Sequence, residues 1–254
     1  MNTLIVIPTY NEALNLSELM ERIVRANAGG DVLIVDDNSP DGTARLANSI
    51  FEESGALQAS HVLVRNGRRG LGKAYLDGFR FALDRGYDCV VQMDADLSHD
   101  PAALPTLILA AQTSDVVIGS RYCAGGSLTE WPVHRRLLSR FAEAYVRLIT
   151  GVRIADATSG YRCWTRRALT AVELDTMRSE GYSFQVELTW RAVRAGLAVA
   201  ETPIRFTDRR RGTSKLTGRV LFESALMPWR LRLGHWRPAK PSEPHDSASQ
   251  SRCV

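Results

Sequence analysis

The chain has 254 residues, 44% of them apolar, and 32 basic against 28 acidic side chains give a net charge of +4. That is enough apolar material for a full core, which excludes a chain disordered throughout, and the basic lean suits phosphates or an anionic membrane surface. Cys89, Cys123, Cys163 and Cys253 follow neither a zinc spacing nor a disulfide framework, which excludes a disulfide-stapled scaffold and suits a reducing compartment.

Thr3 to Ile7 is a β-rich run closed by Pro8, with no basic region and long apolar core before it, so no signal peptide is expected. Leu14 to Ala28 has helical periodicity, with Leu16, Leu19, Met20, Ile23 and Val24 on one face. Val32 to Val35 predicts a second strand, Ser39-Pro40-Asp41-Gly42 a turn, and Thr43 to Glu53 a helix. His61 to Val64 predicts a third strand, followed by a glycine-rich loop and a helix over Lys73 to Asp84. Cys89 to Met93 and Val116 to Gly119 predict the fourth and fifth strands. This alternation implies an α/β fold, a doubly wound, mostly parallel sheet with helices on both faces.

After Arg121 the rhythm changes. Arg135 to Ile149 and Phe184 to Ala195 read as helices, Thr158 to Trp164 and Val199 to Phe206 as strands, the last tolerating Pro203 only at an edge or bulge. Residues 217–236 form a basic amphipathic segment that Pro228 is expected to break, and the Pro- and Ser-rich stretch 237–254 reads as a disordered tail. One domain over 1–236 is expected. No apolar run reaches the roughly 18 residues of a membrane-spanning helix.

The densest chemistry lies in Val90-Val91-Gln92-Met93-Asp94-Ala95-Asp96, a buried-strand pattern ending in two carboxylates. Strand ends are where open α/β sheets bind ligands, and hard oxygens so close together suit Mg²⁺ or Mn²⁺, which in turn holds a diphosphate. Asp36-Asp37 ends the second strand and Tyr10-Asn11-Glu12 the first, so three acidic clusters line one crevice. Tyr10 suits stacking on a base, while Asn11 and Glu12 suit capping of the next helix; both readings are compatible. Gly67-Arg68-Arg69-Gly70-Leu71-Gly72-Lys73 matches the spacing of a phosphate-binding P-loop, the signature of a rival nucleotide triphosphatase class. Ala74 stands where that loop needs a magnesium-binding hydroxyl. A solvated basic face, or a helix start that attracts phosphate, remains open.

Ile7 to Glu12, Val35 to Thr43, Gly70 to Tyr75, Met93 to His99 and Gly119 to Tyr122 together resemble the inverting glycosyltransferases of family two, and more narrowly the dolichol- or polyprenol-phosphate mannose synthases. Ser159 to Arg162, Gly181 to Glu187 and Arg211 to Leu216 agree, so the resemblance spans about residues 3 to 225, nearest to the actinobacterial type without membrane spans. It implies a GT-A fold and transfer of mannose from GDP-mannose to a polyprenyl phosphate. By position, Pro8, Tyr10, Glu12, Asp36 and Asp37 would contact the nucleotide, and Asp94 and Asp96 would hold the metal. Ser98 stands where some relatives have a Gln in the metal shell, so a water is the alternative third ligand. Arg121, Arg135 and Ser139 match acceptor-phosphate positions, and Lys215 a mobile-loop lysine that closes over the diphosphate.

The chemistry is coherent on its own terms. A metal and a lysine neutralise a departing diphosphate. A phosphate monoester, with its second pKa near ~6, is already ionised at pH 7 and needs no general base. Neither His61 nor His99 is therefore expected to be one, and Glu187 is the only base candidate. Arg136 and Arg140 read as a solvated basic face. Residues 217–236 are open to two readings, a membrane-interface segment or a helix packed on the domain. The expected setting is cytoplasmic, peripheral on the inner face of the cell membrane, with an integral-membrane partner as one possibility and no nucleic-acid partner. Alternatives are a family-two transferase using glucose or GlcNAc, and a non-catalytic nucleotide-sugar-binding subunit.

Overall fold

Strand β1 (Thr3–Thr9) shows why the sheet is two-sided. Leu4 and Val6 pack into one core, while Ile5 and Ile7 pack into another. Side chains alternate across a strand, so an unbroken apolar run means cover on both faces. The computed structural model describes residues 1–57, 59–67, 69–177, 179, 181–208 and 218–234; the expected tail at 237–254 lies outside them.

Helix α1 (Ala13–Ala26) ends where Asn27 turns left-handed, and strand β2 (Asp31–Asp36) follows. Helix α2 (Thr43–Glu53), strand β3 (His61–Val64), helix α3 (Leu71–Asp84) and strand β4 (Cys89–Gln92) continue the rhythm. Gly78 lets α3 lie directly against Val6, where any Cβ would collide. Helix α4 (Leu104–Ala110) precedes strand β5 (Val116–Ser120). With β7 (Arg162–Thr165) and β8 (Val199–Pro203), the seven-stranded sheet has the order β3-β2-β1-β4-β7-β5-β8, parallel except for β7, which runs antiparallel between β4 and β5. From β1 the chain winds outward to β2 and β3, then crosses to β4 on the other side. The β1–β4 junction is therefore the switch point of a doubly wound sheet.

Three expectations need correction. The strand expected over Thr158 to Trp164 begins only at Arg162. The amides before it are engaged elsewhere: Thr158 N–H donates to the Glu143 carboxylate, Ser159 N–H to Asp156 O and Tyr161 N–H to Ser159 Oγ, so these three do not join a ladder. The strand expected over Val199 to Phe206 is two. Strand β8 (Val199–Pro203) is an edge of the main sheet and ends at its proline, and β9 (Arg205–Phe206) pairs with β6 (Ser127–Leu128) in a separate parallel ribbon. Pro228 does not break its segment, because helix α8 (Gly218–Leu233) runs through it.

Helix α5 (Val133–Thr150) starts after Pro132 and stops at left-handed Gly151. Helix α6 (Arg166–Ala171) is capped by the Thr165 hydroxyl, which accepts from Ala168 N at 3.2 Å. Helix α7 (Tyr182–Arg194) and α5 share the α3 side of the sheet. Helix α8 packs on α5, with Tyr145 Oη donating to Ala225 O at 2.6 Å and Arg232 to Ile149 O at 2.8 Å. Cys89 and Cys163, remote in sequence, are free buried thiols 2.7 Å apart on β4 and β7.

Candidate active site

Beyond Gln92 the chain leaves the ladder and doubles back. Leu97, buried in a left-handed conformation (φ 62°), makes the reversal. Tyr75 Oη donates to Asp94 Oδ1 at 2.9 Å, and Asp94 N–H donates to His99 Nδ1 at 3.0 Å. Burial and the adjacent Asp94 hold the Tyr75 phenol well above its usual pKa, so it stays a donor. Burial also pushes the His99 imidazole below its usual range, in keeping with an accepting Nδ1. Asp96 Oδ1 accepts from Ser98 N–H at 3.1 Å and from Ser98 Oγ at 2.5 Å. The Ser98 proton is thus spent on Asp96, which leaves the hydroxyl lone pairs as a weak third donor.

No group of three His, Cys, Asp or Glu side chains arranged around a cation occurs among the described residues. The donor set nonetheless fits a hard divalent ion. Asp94, Asp96 and Ser98 offer only oxygens. Gly160 has no Cβ where one would sit 3.5 Å from Asp94 Oδ2 and 3.7 Å from Gln185 Nε2. Gln185 Oε1 is buried beside that gap with no hydrogen-bond partner among the described residues, an orphan that asks for a bound group.

Across the β1–β2 register, Pro8 lies beside Val35 and Thr9 beside Asp36. Asp36 is fully buried and builds its turn, accepting from Thr9 Oγ1 at 2.8 Å, Ser39 N–H at 2.8 Å and Ser39 Oγ at 2.6 Å. Asp41 accepts from Thr43 and Ala13. The turn is therefore shared by Asp36, Ser39 and Asp41. Asp37 pairs with the Arg65 guanidinium and accepts from Gly70 N–H at 3.0 Å. Asn15 donates to Glu12 at 2.8 Å, and Arg69 lies 4.1 Å over the Tyr10 ring. The glycine-rich loop is thus folded onto Asp37, and Gly72 packs against Phe184. A P-loop would aim these amides at phosphate instead.

The basic side of the crevice follows β5. Arg121 forks onto fully buried Asp156, with Nε at 2.7 Å and Nη2 at 2.5 Å, and sits among the rings of Tyr122, Trp131 and Phe206. Burial works against its charge and Asp156 more than offsets this, so its pKa is raised. Arg135 lies 3.9 Å over Trp131 and donates to Asp208 at 2.8 Å. Ser139 Oγ accepts from Tyr122 Oη at 2.7 Å. Glu187, the base candidate, is committed to Ser179 and to Arg191, the latter at 2.6 Å. Lys215 lies outside the described residues.

Asp156, Glu143 and Arg162 are buried charges to which the sequence reading gave no role. Asp156 grips Arg121. Glu143, beside it, is pushed up to about 7 by burial and by Asp156. Fully buried Arg162 is drawn down to about 10 by burial and, among the described residues, donates to the carbonyls of Ala157, Ser159 and Gln185. One signal was available: Glu143 shares the inward stripe of α5 with Val146 and Ile149, and an acid on an apolar face needs partners.

The model of the family described as "Glycosyl transferase family 2" matches residues 4–171. The chain belongs to glycosyl transferase family 2. The glycosyltransferase is 43% identical to undecaprenyl-phosphate mannosyltransferase of Micrococcus luteus over 89% of this chain and 92% of that one. It is 44% identical to polyprenol monophosphomannose synthase of Mycolicibacterium smegmatis over 87% and 83%. Among solved structures it is similar to glucosyl-3-phosphoglycerate synthase from Mycobacterium tuberculosis in complex with Mn²⁺, UDP and glucosyl-3-phosphoglycerate (TM-score 0.61, 20% identity, 91% of this chain and 77% of that one). A mannosyltransferase from Pyrobaculum calidifontis in complex with GDP-Man and Mn²⁺ matches at TM-score 0.56 and 18% identity, over 91% of this chain and 72% of that one. Both establish the GT-A fold of the glycosyltransferase, whose mostly parallel sheet carries the acidic crevice at its switch point.

Proposed function

We propose that this glycosyltransferase moves mannose from GDP-mannose to a polyprenyl phosphate, with inversion, at a membrane surface. The observation that carries the reading is the juxtaposition at one sheet edge of a hard-oxygen pair, Asp94 and Asp96, with an aromatic-backed arginine cluster, in a chain whose relatives are named for this transfer.

Asp94 and Asp96 would hold Mg²⁺ or Mn²⁺, with Ser98 or a water completing the shell; the ion supplies neutralisation of the departing diphosphate. Tyr75 stays protonated and orients Asp94. Pro8, Tyr10, Glu12 and Asp37 face the nucleotide, while Asp36 acts through the turn that it builds. Lys215, outside the described residues, would add its charge to the diphosphate. Arg135 and Ser139 receive the acceptor phosphate, and Arg121, already forked onto Asp156, supplies charge behind them. The phosphate monoester is its own nucleophile, so the absorption of Glu187 into an ion pair costs the reaction nothing.

The membrane face is α5 with α8. Val133, Leu137, Leu138, Phe141 and Leu148 are 62–81% exposed, and Trp229 and Leu233 extend the patch. So large an apolar surface flanked by arginines suits a lipid interface. The patch supports a peripheral position on a membrane surface, which this reading assigns to the cytoplasmic leaflet and to which an integral-membrane partner would add; no described helix is long and apolar enough to cross a bilayer. Transfer of radiolabel from GDP-mannose to a polyprenyl phosphate with Mg²⁺ or Mn²⁺ tests the reading. Label moving only from another nucleotide sugar would reassign the donor, and no transfer from any would leave a binding subunit.

A further inference from the structure

His99 has no part in the reaction as described, yet it touches both halves of the crevice. It is 2% exposed. Strand β4 ends at Gln92, so Asp94 N–H lies beyond the ladder, and His99 Nδ1 is the acceptor that satisfies it, at 3.0 Å. The left-handed turn at Leu97 brings the imidazole back over the strand end. Gly160 leaves it room, since a Cβ there would lie 3.4 Å from His99 Cε1.

The ring has a second set of contacts. It stacks on Tyr161 (centroids 4.9 Å apart, planes 15° apart) and meets the Phe206 ring at 5.6 Å and 68°. The two backbones also bridge, His99 to Phe206, with Thr207 N–H donating to Ser98 O at 3.3 Å. Phe206 in turn meets Trp131 edge-on at 5.7 Å, and Trp131 carries Arg135. Asp208, which holds the other side of Arg135, is two residues beyond Phe206. A histidine that only filled space would need the ring contacts but not the acceptor, and one that only satisfied an amide would not need the ring.

We propose that His99 is a positioning residue for both ends of the reaction centre: its Nδ1 holds Asp94 toward the cation, and its ring holds Phe206 and thereby the platform of Arg135. The acceptor half rests on the mannosyl-transfer reading; the Asp94 half rests only on the cation site.

Two substitutions in the full chain separate the halves. His99→Phe keeps a ring and removes the acceptor. Groups that orient metal ligands typically change metal affinity by about 10–100-fold, so Mn²⁺ binding in the presence of GDP, read by electron paramagnetic resonance, should weaken about tenfold while the apparent KM for polyprenyl phosphate stays within about twofold. His99→Asn places an amide oxygen near Nδ1 and removes the ring. Mn²⁺ binding should stay within roughly threefold, and the KM for lipid should rise roughly three- to tenfold, the worth of an aromatic pair. Both variants weakening both readouts alike, or His99→Phe binding Mn²⁺ as the parent does, would overturn the proposal. If neither variant folds, Phe206→Leu decides: a raised lipid KM with unchanged Mn²⁺ binding supports it, and an unchanged lipid KM overturns it. A parent enzyme that binds Mn²⁺ but transfers no mannose would sink the mannosyl-transfer reading alone, and the Mn²⁺ comparison would still judge His99.

Discussion

Arg121 and Arg135 follow the same strand, and their surroundings assign them different work. Arg121 is bonded to a carboxylate with no exposure, whereas the Arg135–Asp208 pair is about one-third exposed on each side. Breaking a buried pair typically costs about 3–5 kcal/mol because one charge stays behind, while an exposed pair is worth about 0–1 kcal/mol. Arg121→Ala should therefore lower the melting midpoint sharply, and Arg135→Ala should leave it nearly unchanged and raise the KM for lipid phosphate. Equal midpoints for the two variants would refute the division. Glu143 gives a second prediction at this scale. Its folded-state pKa, about 7, lies above the ordinary carboxyl value of 4.5. The folded state then binds more protons than the unfolded state between those pH values, so stability falls as pH rises from about 4.5 to about 7. Glu143→Gln should flatten that slope in melts taken across the same window; an unchanged slope would assign it to another group. The sequence exposed the carboxylates that end strands because strand ends are visible in hydropathy. It did not expose Asp156 or Arg162, because a buried charge announces itself only through partners far away in the chain.

Among the elements, those with local causes were legible. Strands β1 to β5 follow from apolar runs, helices α1 to α3 from helical periodicity, and the start of α2 from the turn that ends at Gly42; the ends at Asn27 and Gly70 were not legible, since the pattern predicts helices over Leu14 to Ala28 and from Lys73. Strand β7 was displaced because Glu143 on α5 claims the Thr158 amide, while the Ser159 and Tyr161 amides are turned onto Asp156 O and Ser159 Oγ. Helix α8 survives Pro228, where propensity alone predicts a break of about 3 kcal/mol. Its packing on α5 and α7 supplies what the missing hydrogen bond does not. The outward face of α5 was legible only in part, since its arginines drew attention from Leu137 and Phe141. Replacing both by Ser should reduce co-sedimentation with anionic vesicles severalfold and leave the circular-dichroism spectrum and transfer to a detergent-dispersed short-chain acceptor intact. Undiminished sedimentation would move the membrane contact elsewhere.

For the whole molecule, the switch point joins two halves of opposite character. The half built on β1, β2 and β3 supplies carboxylates and a glycine-rich loop; the half built on β5, β7 and β8 supplies arginines and aromatic rings. β4, between them, carries the residues expected to hold the cation. A ligand bound there ties both halves together and must stabilise the whole fold by mass action. At one hundred times its Kd a ligand adds about 2.7 kcal/mol, or roughly 5–10 °C in a domain of this size. GDP with Mn²⁺ should therefore raise the melting midpoint by that much, and neither alone should match the pair. Asp96→Asn should abolish the increment while keeping most of the stability without ligand, because an amide oxygen can still accept where Asp96 Oδ1 accepts from its near neighbour Ser98. Lys73→Ala should keep the increment, because the glycine-rich loop is anchored on Asp37 and, in the function proposed, the diphosphate is held from the β4 side. If Lys73→Ala lost the increment and Asp96→Asn kept it, the phosphate would sit on the loop before α3, and the rival triphosphatase reading would replace the one advanced for β4.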